Sequence, residues 1–130
     1  MRIIASILIA LFATAACGGP STETVCHSSE TREFLQDVVD ANLKGYFKAN
    51  PVDAIPEDQL DEWADFLKNA EPRADNEKVA SAISYMESGV DYLRKWYDIY
   101  PKVNQHGFRF IAQGHYDLRR ACSDLGVELM

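Results

Sequence analysis

Apolar residues recur along this chain at alternating spacings of three and four, the pattern of amphipathic helices packed against one another. The longest series predicts one helix over residues 79–100, with Asp75 or Asn76 as its N-cap and Pro101 just after its end. Its apolar stripe consists of Val79, Ile83, Met86, Val90, Leu93, Tyr97 and Tyr100. Such a stripe needs neighbouring helices to cover it, so it predicts a helical bundle.

Two shorter helices are predicted before it. The first covers residues 31–48, because Ser29 or Thr31 can cap its amides and Pro51 stops it. The second begins near Pro56, with acidic residues in its first turn. Their apolar faces are Leu35, Val38, Val39, Leu43, Tyr46 and Phe47 in the first helix, and Leu60, Trp63, Ala64 and Leu67 in the second.

A last helix is predicted to begin between Val103 and Phe108. Gly107 and Gly114 fall inside it, although glycine costs about 1 kcal/mol relative to alanine in a helix interior. No segment alternates apolar and polar residues like a β-strand, so the fold class is all-α. Four helices with short connections favour an antiparallel up-down four-helix bundle. The apolar face of the last helix is Phe108, Ile111, His115, Leu118, Cys122, Leu125 and Leu129.

The third helix carries a second apolar stripe beside the first, formed by Ala82, Tyr85, Tyr92, Trp96 and Ile99. A surface helix of a small bundle needs only one apolar face. The additional aromatic residues either wedge between neighbouring helices or line a groove for an apolar ligand or partner. The candidate ligand or partner contacts are Tyr46, Tyr85, Tyr92, Trp96, Tyr97, Tyr100 and His115.

The first 16 residues have the organisation of an export signal. Arg2 supplies a positive charge, and the apolar run over residues 3–13 is followed by small residues. This run is shorter than the roughly 20 residues that a membrane-spanning helix needs. We therefore predict a signal peptide over residues 1–16 that is removed from the mature protein.

The sequence Thr-Ala-Ala-Cys at residues 14–17 resembles the lipobox of bacterial lipoproteins, with Thr14 where that family prefers leucine. The resemblance implies cleavage before Cys17 and acylation of its thiol. Gly18 in place of an aspartate implies the outer membrane if the bacterium has two membranes. The alternative is an ordinary secretory signal with a cysteine beside its cleavage site.

Cysteine parity favours lipidation. The chain has three cysteines, and acylating Cys17 leaves Cys26 and Cys122 as a pair in an oxidising compartment. In an up-down bundle the start of the first helix and the end of the fourth lie at the same end, where these two cysteines fall. We therefore predict a lipidated tether over residues 17–25 and a disulfide-closed helical domain over residues 26–130.

The charge of the chain narrows its partners. It has 130 residues, 47% of them hydrophobic, which is typical of one globular domain. There are 13 Lys and Arg against 20 Asp and Glu, a net charge of −7. Such a surface repels nucleic acid and anionic lipid headgroups, so neither is expected as a ligand.

Candidate catalytic and metal-binding chemistry is sparse. His27, His106 and His115 lack the spacing of a helical metal site, so no metal and no cofactor is predicted. His115 is either a hydrogen-bonded histidine inside the bundle or a ligand contact. No catalytic motif is present, so we predict that the protein is not an enzyme. A cluster of acidic residues at the start of the second predicted helix is either a solvated face or a contact for a cation or a basic partner. Its members are Glu57, Asp58, Asp61, Glu62 and Asp65.

Two segments resemble the actinobacterial haemophore-like family, small exported helical proteins with an early and a late cysteine. They cover residues 26–51, ending Tyr-Phe-Lys-Ala-Asn-Pro, and residues 101–122, ending Asp-Leu-Arg-Arg-Ala-Cys. The family's Tyr and His of haem contact correspond to Tyr46 and Asn50, and Tyr100 holds the equivalent position before the second segment. The resemblance implies haem as an alternative ligand. For such a ligand carrier, the possible contacts are Tyr46, Tyr97, Tyr100 and His115.

These patterns predict a lipid-anchored, extracytoplasmic protein of the cell envelope. We expect it to act as a non-enzymatic interaction or accessory module that binds another envelope protein. The first alternative is a carrier of a small apolar ligand such as haem. The second is an enzyme of unidentified class.

Overall fold

The computed structural model describes residues 22–48, 51, 53–74, 76–99 and 105–129. Within these ranges the chain is helical and contains no β-strand, so the predicted all-α class is confirmed. The predicted signal peptide, Cys17 and Tyr100 lie outside the described residues. The elements are α1 (Thr22–His27), α2 (Ser29–Leu43), α3 (Glu57–Ala70), a 3₁₀ turn (Glu71–Arg73), α4 (Glu77–Lys95) and α5 (Gln105–Asp124).

The short helix α1 covers the last four residues of the segment predicted as a tether. Val25 and Cys26 are buried, and Cys26 is bonded to Cys122. Burial of Val25 against the core holds this turn of helix in place. Residues 22–25 of the segment predicted as a tether are therefore helical.

The N-cap of helix α2 lies one residue before the nearer of the two caps considered for it. The Glu30 amide donates a hydrogen bond to the Ser28 hydroxyl (3.2 Å), so Ser28 is the N-cap instead of Ser29 or Thr31. Thr31 is buried, which removes it from a capping role.

Helix α2 also ends five residues before the predicted boundary. Gly45 follows its end with a φ of +87°, a left-handed conformation that glycine adopts without steric cost. Leu43, predicted on the apolar face, is 78% exposed. Tyr46 and Phe47 lie after the helix, yet both pack against the core. Leu43 lies off the buried face of α2, and the turn at Gly45 brings the two aromatic rings back to the core.

Helix α3 agrees with the sequence pattern. Its N-cap is Pro56, and Leu60, Trp63 and Leu67 of its predicted face are buried. The half-buried Ala64 packs against the same core. Phe34 of α2 contacts the Trp63 ring edge-on at a centroid distance of 5.9 Å, which connects α3 to the first long helix.

Helix α4 starts as predicted and ends early. Asn76 is its N-cap, since its side chain accepts hydrogen bonds from the amides of Lys78 (3.0 Å) and Val79 (3.3 Å). The helix ends at Lys95, and Trp96 begins a series of turns, so the predicted extension to residue 100 is wrong. The buried residues of its first stripe are Val79, Ile83, Met86, Val90 and Leu93.

The turn after α4 is held by a specific contact. The Tyr97 hydroxyl donates a 2.7 Å hydrogen bond to the carbonyl oxygen of Ile55, just before α3. This bond supplies a partner for a backbone oxygen of a buried residue, which helps to explain why the chain leaves the helix here.

Helices α4 and α5 run in opposite directions. They pack closely because glycines lie at their contact. A Cβ on Gly89 would lie 2.6 Å from the Gly107 carbonyl oxygen, and one on Gly114 would lie 2.8 Å from that of Ala82. Real Cβ atoms do not approach so closely, so the helix backbones touch where side chains are absent. The glycines that weaken α5 as an isolated helix are therefore the ones that its packing requires.

The predicted disulfide is confirmed. Cys26 and Cys122 are bonded, with their Cα atoms 5.6 Å apart, which joins α1 to the last turns of α5. At the other end of α5, the Phe108 ring stacks on Phe47 after α2 (5.1 Å). Helices α2 and α5 therefore run in opposite directions.

Leu125, predicted on the apolar face of the last helix, follows the end of α5 and is 44% exposed.

Candidate functional site

A row of exposed and half-buried aromatic rings crosses the surface from α4 to α5. We call this surface the aromatic ridge, and it consists of Tyr85, Tyr92, Trp96, His106 and Phe110. Neighbouring rings contact one another along the whole row. The centroid distances are 5.6 Å for Tyr85–Phe110, 5.1 Å for Phe110–His106, 5.3 Å for His106–Tyr92 and 6.4 Å for Tyr92–Trp96.

The local sequence explains how the ridge forms. Tyr85 and Tyr92 lie two turns apart on one face of α4, and His106 and Phe110 lie one turn apart on α5. The glycine contact brings the two helix axes close enough for rings on adjacent faces to meet. Ring pairs at these separations are each worth roughly 0.5–1.5 kcal/mol beyond the area they bury.

The structure shows which residues of the second apolar stripe on the third predicted helix are buried and which are exposed. Ala82 of that stripe is buried against α5, as the wedge interpretation requires. Tyr85 is 42% exposed and Tyr92 is 37% exposed, while Ile99 is exposed beyond the helix end. The stripe is therefore divided: Ala82 belongs to the core, Tyr85, Tyr92 and Ile99 are exposed, and Trp96 is half-buried.

Two polar side chains accompany the ridge. Ser88 is exposed on α4 between Tyr85 and Tyr92, three residues after the first and four before the second. The Lys95 ammonium lies over the Trp96 ring, 5.5 Å from its centroid, a cation–π contact. The ridge thus offers flat aromatic surface together with a hydroxyl group and a positive charge.

A second candidate region is an open groove between α2 and α5, with a volume of about 470 Å³. We call it the α2–α5 groove. The stacked rings of Phe47 and Phe108 form part of its wall. Its described lining residues are Val38, Val39, Asn42, Phe47, Phe108, Arg109, Ala112 and His115.

His115 is half-buried at this groove. Burial lowers the pKa of its imidazole, and the positive charge of Arg119 lowers it further, while the Leu35 carbonyl acts in the opposite direction. Its Nε2 atom is buried and has no hydrogen-bond partner. Burial and Arg119 therefore favour the uncharged form of the ring, and its place at the groove leaves both the structural and the ligand interpretation of His115 as predictions.

The other predicted contact residues lie elsewhere. Tyr97 is engaged with the Ile55 carbonyl, and its pKa is raised by burial and then by the charges of Glu57 and Asp58. Tyr46 is half-buried against the core. The predicted set is thus split: Tyr85, Tyr92 and Trp96 share the ridge, Tyr46 and Tyr97 are separate from it, and His115 belongs to the groove.

The acidic face of α3 is solvated. Asp61 and Arg94 form an ion pair at 3.0 Å that is exposed on both sides, and such pairs contribute little stability. Across the part of the chain that the structure describes, no group of three or more His, Cys, Asp or Glu side chains could hold a metal ion.

A different carboxyl group is perturbed. The pKa of Glu87 is raised to about 7, first by burial, then by a hydrogen bond with Glu71 and by the negative charges of Glu71 and Asp91. Glu87 lies on α4 and Glu71 begins the 3₁₀ turn after α3, so the pair spans the α3–α4 junction.

The sequence pattern did not predict the two ridge residues of α5, His106 and Phe110. Neither belongs to the predicted apolar face of the last helix or to the predicted contact residues. The i, i+4 spacing of these two rings on the opposite face of α5 is the signal that indicates a second aromatic surface there. Arg109 and Phe108, which line the groove, give no such signal because their shared pocket depends on α2.

Comparison with known proteins identified no relative of this chain. No protein-family model matches the chain, and neither the curated proteins nor the solved structures contain a match to it. Among the described helices, none combines the length and the apolar character that crossing a membrane requires.

Proposed function

We propose that this protein is a lipid-anchored, extracytoplasmic module of the cell envelope that binds another envelope protein through the aromatic ridge and performs no catalysis. The observation that carries the proposal is the continuous row of contacting rings across α4 and α5, in which Tyr85, Tyr92 and His106 are exposed. Exposed aromatic side chains that a small core does not need are typical of interaction surfaces.

The disulfide supports export to an oxidising compartment. Cys26 and Cys122 pair with each other, and disulfides of this kind persist outside the reducing cytosol. The pairing leaves Cys17 with no disulfide partner in this chain, which is consistent with the acylation implied by the lipobox resemblance. We propose anchoring at Cys17, facing the extracytoplasmic side, in the outer membrane if the bacterium has two.

We also propose that α2, α3, α4 and α5 form an up-down four-helix bundle. The support is that α4 and α5 run antiparallel across the glycine contact, and that α2 and α5 run antiparallel between the disulfide and the Phe47–Phe108 stack. The Arg94–Asp61 and Tyr97–Ile55 contacts relate α3 and α4 in the same way. This order places the ridge on the outer face of the α4–α5 pair.

Site-specific photo-crosslinking tests the partner proposal. A photo-reactive phenylalanine analogue replaces Tyr85 in the full chain expressed in its own host. Tyr116, an aromatic residue of α5 that is 56% exposed and outside the ridge, is the matched control position. We expect one envelope protein to crosslink from position 85 and not from position 116.

A double variant, Tyr85→Ser with Tyr92→Ser, should abolish co-purification of that protein, while Tyr116→Ser should retain it. Both ridge tyrosines are exposed, so the variant keeps its core. Equal crosslinking from positions 85 and 116, or no envelope protein from either, would contradict the proposal.

The alternative of a small apolar ligand is favoured by one observation, the α2–α5 groove beside His115. Haem is the specific case that the family resemblance implies. Titration of the purified protein with haemin should produce a Soret shift that His115→Ala removes if this alternative holds.

A further inference from the structure

The α2–α5 groove has the dimensions and the walls of a small-molecule site. Its volume of about 470 Å³ falls in the range of ligand pockets, which is roughly 300–1,000 Å³. Apolar side chains from both helices line it, including Val38 of α2 and Ala112 of α5. The Phe47–Phe108 stack adds aromatic surface on which an alkyl chain or a ring can pack.

The charge of the groove differs from that of the protein. The chain as a whole carries −7, yet Arg109 is the one charged side chain among the described lining residues. His115 adds no charge at neutral pH, because burial lowers its pKa. Arg109 is exposed, so its guanidinium can reach a ligand at the mouth of the groove.

The polar groups of the groove are few. The Arg109 guanidinium carries only hydrogen-bond donors, arranged to match a carboxylate, while the amide of Asn42 can both donate and accept. A cationic ligand would find no carboxylate among the described lining residues. A wholly apolar ligand would gain nothing from the exposed guanidinium of Arg109, which would stay bound to water.

We propose that the α2–α5 groove binds a small amphipathic carboxylate, with its apolar body along the Phe47–Phe108 wall and its carboxylate at Arg109. The two surfaces are separate, since the ridge lies on the α4–α5 face and the groove lies between α2 and α5. The proposal goes beyond partner binding by the ridge and does not depend on it.

Binding is tested with decanoate, decanol and decyltrimethylammonium, which share a ten-carbon chain and differ in charge. The protein is the oxidised full chain carrying Cys17→Ser, which removes the acylation site, and backbone amide NMR shifts report both location and affinity. We expect decanoate to shift the amides of Val39, Ala112 and His115 while those of Tyr85 and Tyr92 stay in place. Decanol should bind more weakly, and the cation should not bind.

Two variants and a control assign the contacts. Arg109→Gln should weaken decanoate about fivefold, the size of an exposed ion pair, and leave decanol unchanged. Ala112→Trp fills the groove from an exposed position and should abolish binding of both, with circular dichroism and an unchanged unfolding midpoint reporting an intact fold. Arg120→Gln, on α5 outside the groove, should leave both affinities unchanged.

Specific results overturn the proposal. Equal affinity for decanoate and decyltrimethylammonium would show that Arg109 does not select the ligand. An Arg109→Gln variant that binds decanoate normally would do the same. Absence of decanoate-induced shifts at the groove amides would reject the site itself. Each of these results leaves the crosslinking result at position 85 unaffected, so failure here is distinguishable from failure of the ridge proposal.

Discussion

Gly89 of α4 lies against the backbone of Gly107 of α5, so closely that a Cβ on Gly89 would be 2.6 Å from the Gly107 carbonyl oxygen. The helix axes approach because neither residue has a side chain between them. This contact sets the distance across which Tyr92 and His106 meet at 5.3 Å. The packing of the core and the geometry of the ridge therefore depend on the same pair of glycines.

The first prediction concerns this pair. Gly89→Ala places a methyl group in space that a backbone oxygen occupies, so the helices must separate. We expect a loss of about 2–3 kcal/mol of unfolding free energy, within the range of overpacked cores, despite alanine's better helix propensity. Urea denaturation measures this loss. Ser84→Ala, an exposed site on α4, is the control and should change stability by less than about 0.5 kcal/mol. Stability equal to that of the control would contradict the close contact.

The disulfide gives a second prediction. Cys26 and Cys122 are separated by 96 positions, and in the chain-entropy model closing a loop of this size contributes roughly 4–5 kcal/mol. A double Cys26→Ser, Cys122→Ser variant should therefore lose most of the stability of a small domain. Thermal unfolding followed by circular dichroism measures the effect. If the double variant were as stable as the oxidised parent protein, the disulfide would be dispensable for stability.

The Tyr97–Ile55 hydrogen bond gives a third prediction. Tyr97→Phe removes the hydroxyl and leaves the Ile55 carbonyl without this partner, which should cost about 1 kcal/mol. Chemical denaturation of the oxidised protein reports the difference. Tyr116→Phe is the matched control, since its hydroxyl contacts only exposed Arg120, at 3.4 Å, and its removal should have almost no effect. Equal losses in the two variants would contradict a structural role for Tyr97.

A fourth prediction concerns pH. Glu87 has a folded-state pKa of about 7 against an ordinary value of 4.5, so between these values the unfolded chain loses a proton that the folded chain keeps. The free energy of unfolding should therefore fall as pH rises from about 4.5 to about 7, and this contribution should then level off. Because the side chain is only partly withdrawn from water, we expect a change on the order of 1 kcal/mol.

Glu87→Gln tests the assignment. The amide cannot ionise, so the variant should lose this part of the pH dependence and be more stable than the parent above pH 7. Glu62→Gln, the same change at an exposed position on α3, should retain the parent's profile. A Glu87→Gln profile identical to the parent's would place the perturbed carboxyl elsewhere.

Much of the fold could be predicted from local sequence patterns. Spacings of three and four identified the buried faces of α3 and α4, and the capping chemistry of Asn76 identified the start of α4. The ends of the helices were harder to predict from the sequence. Lys95 and Leu43 end their helices well before the next proline, because a tertiary hydrogen bond in one case and a left-handed glycine in the other redirect the chain.

By itself the sequence determined the all-α class, the pairing of Cys26 with Cys122 and the surplus of aromatic residues on the third predicted helix. These follow from residue spacing and cysteine parity, which require no knowledge of neighbours. Tertiary structure alone decided that Tyr85 and Tyr92 face solvent, that His106 and Phe110 join them, and that Arg109 and His115 share a groove with α2. The physical reason is that exposure and pocket shape depend on how closely two helices approach, and here the backbone contact between Gly89 and Gly107 sets that approach.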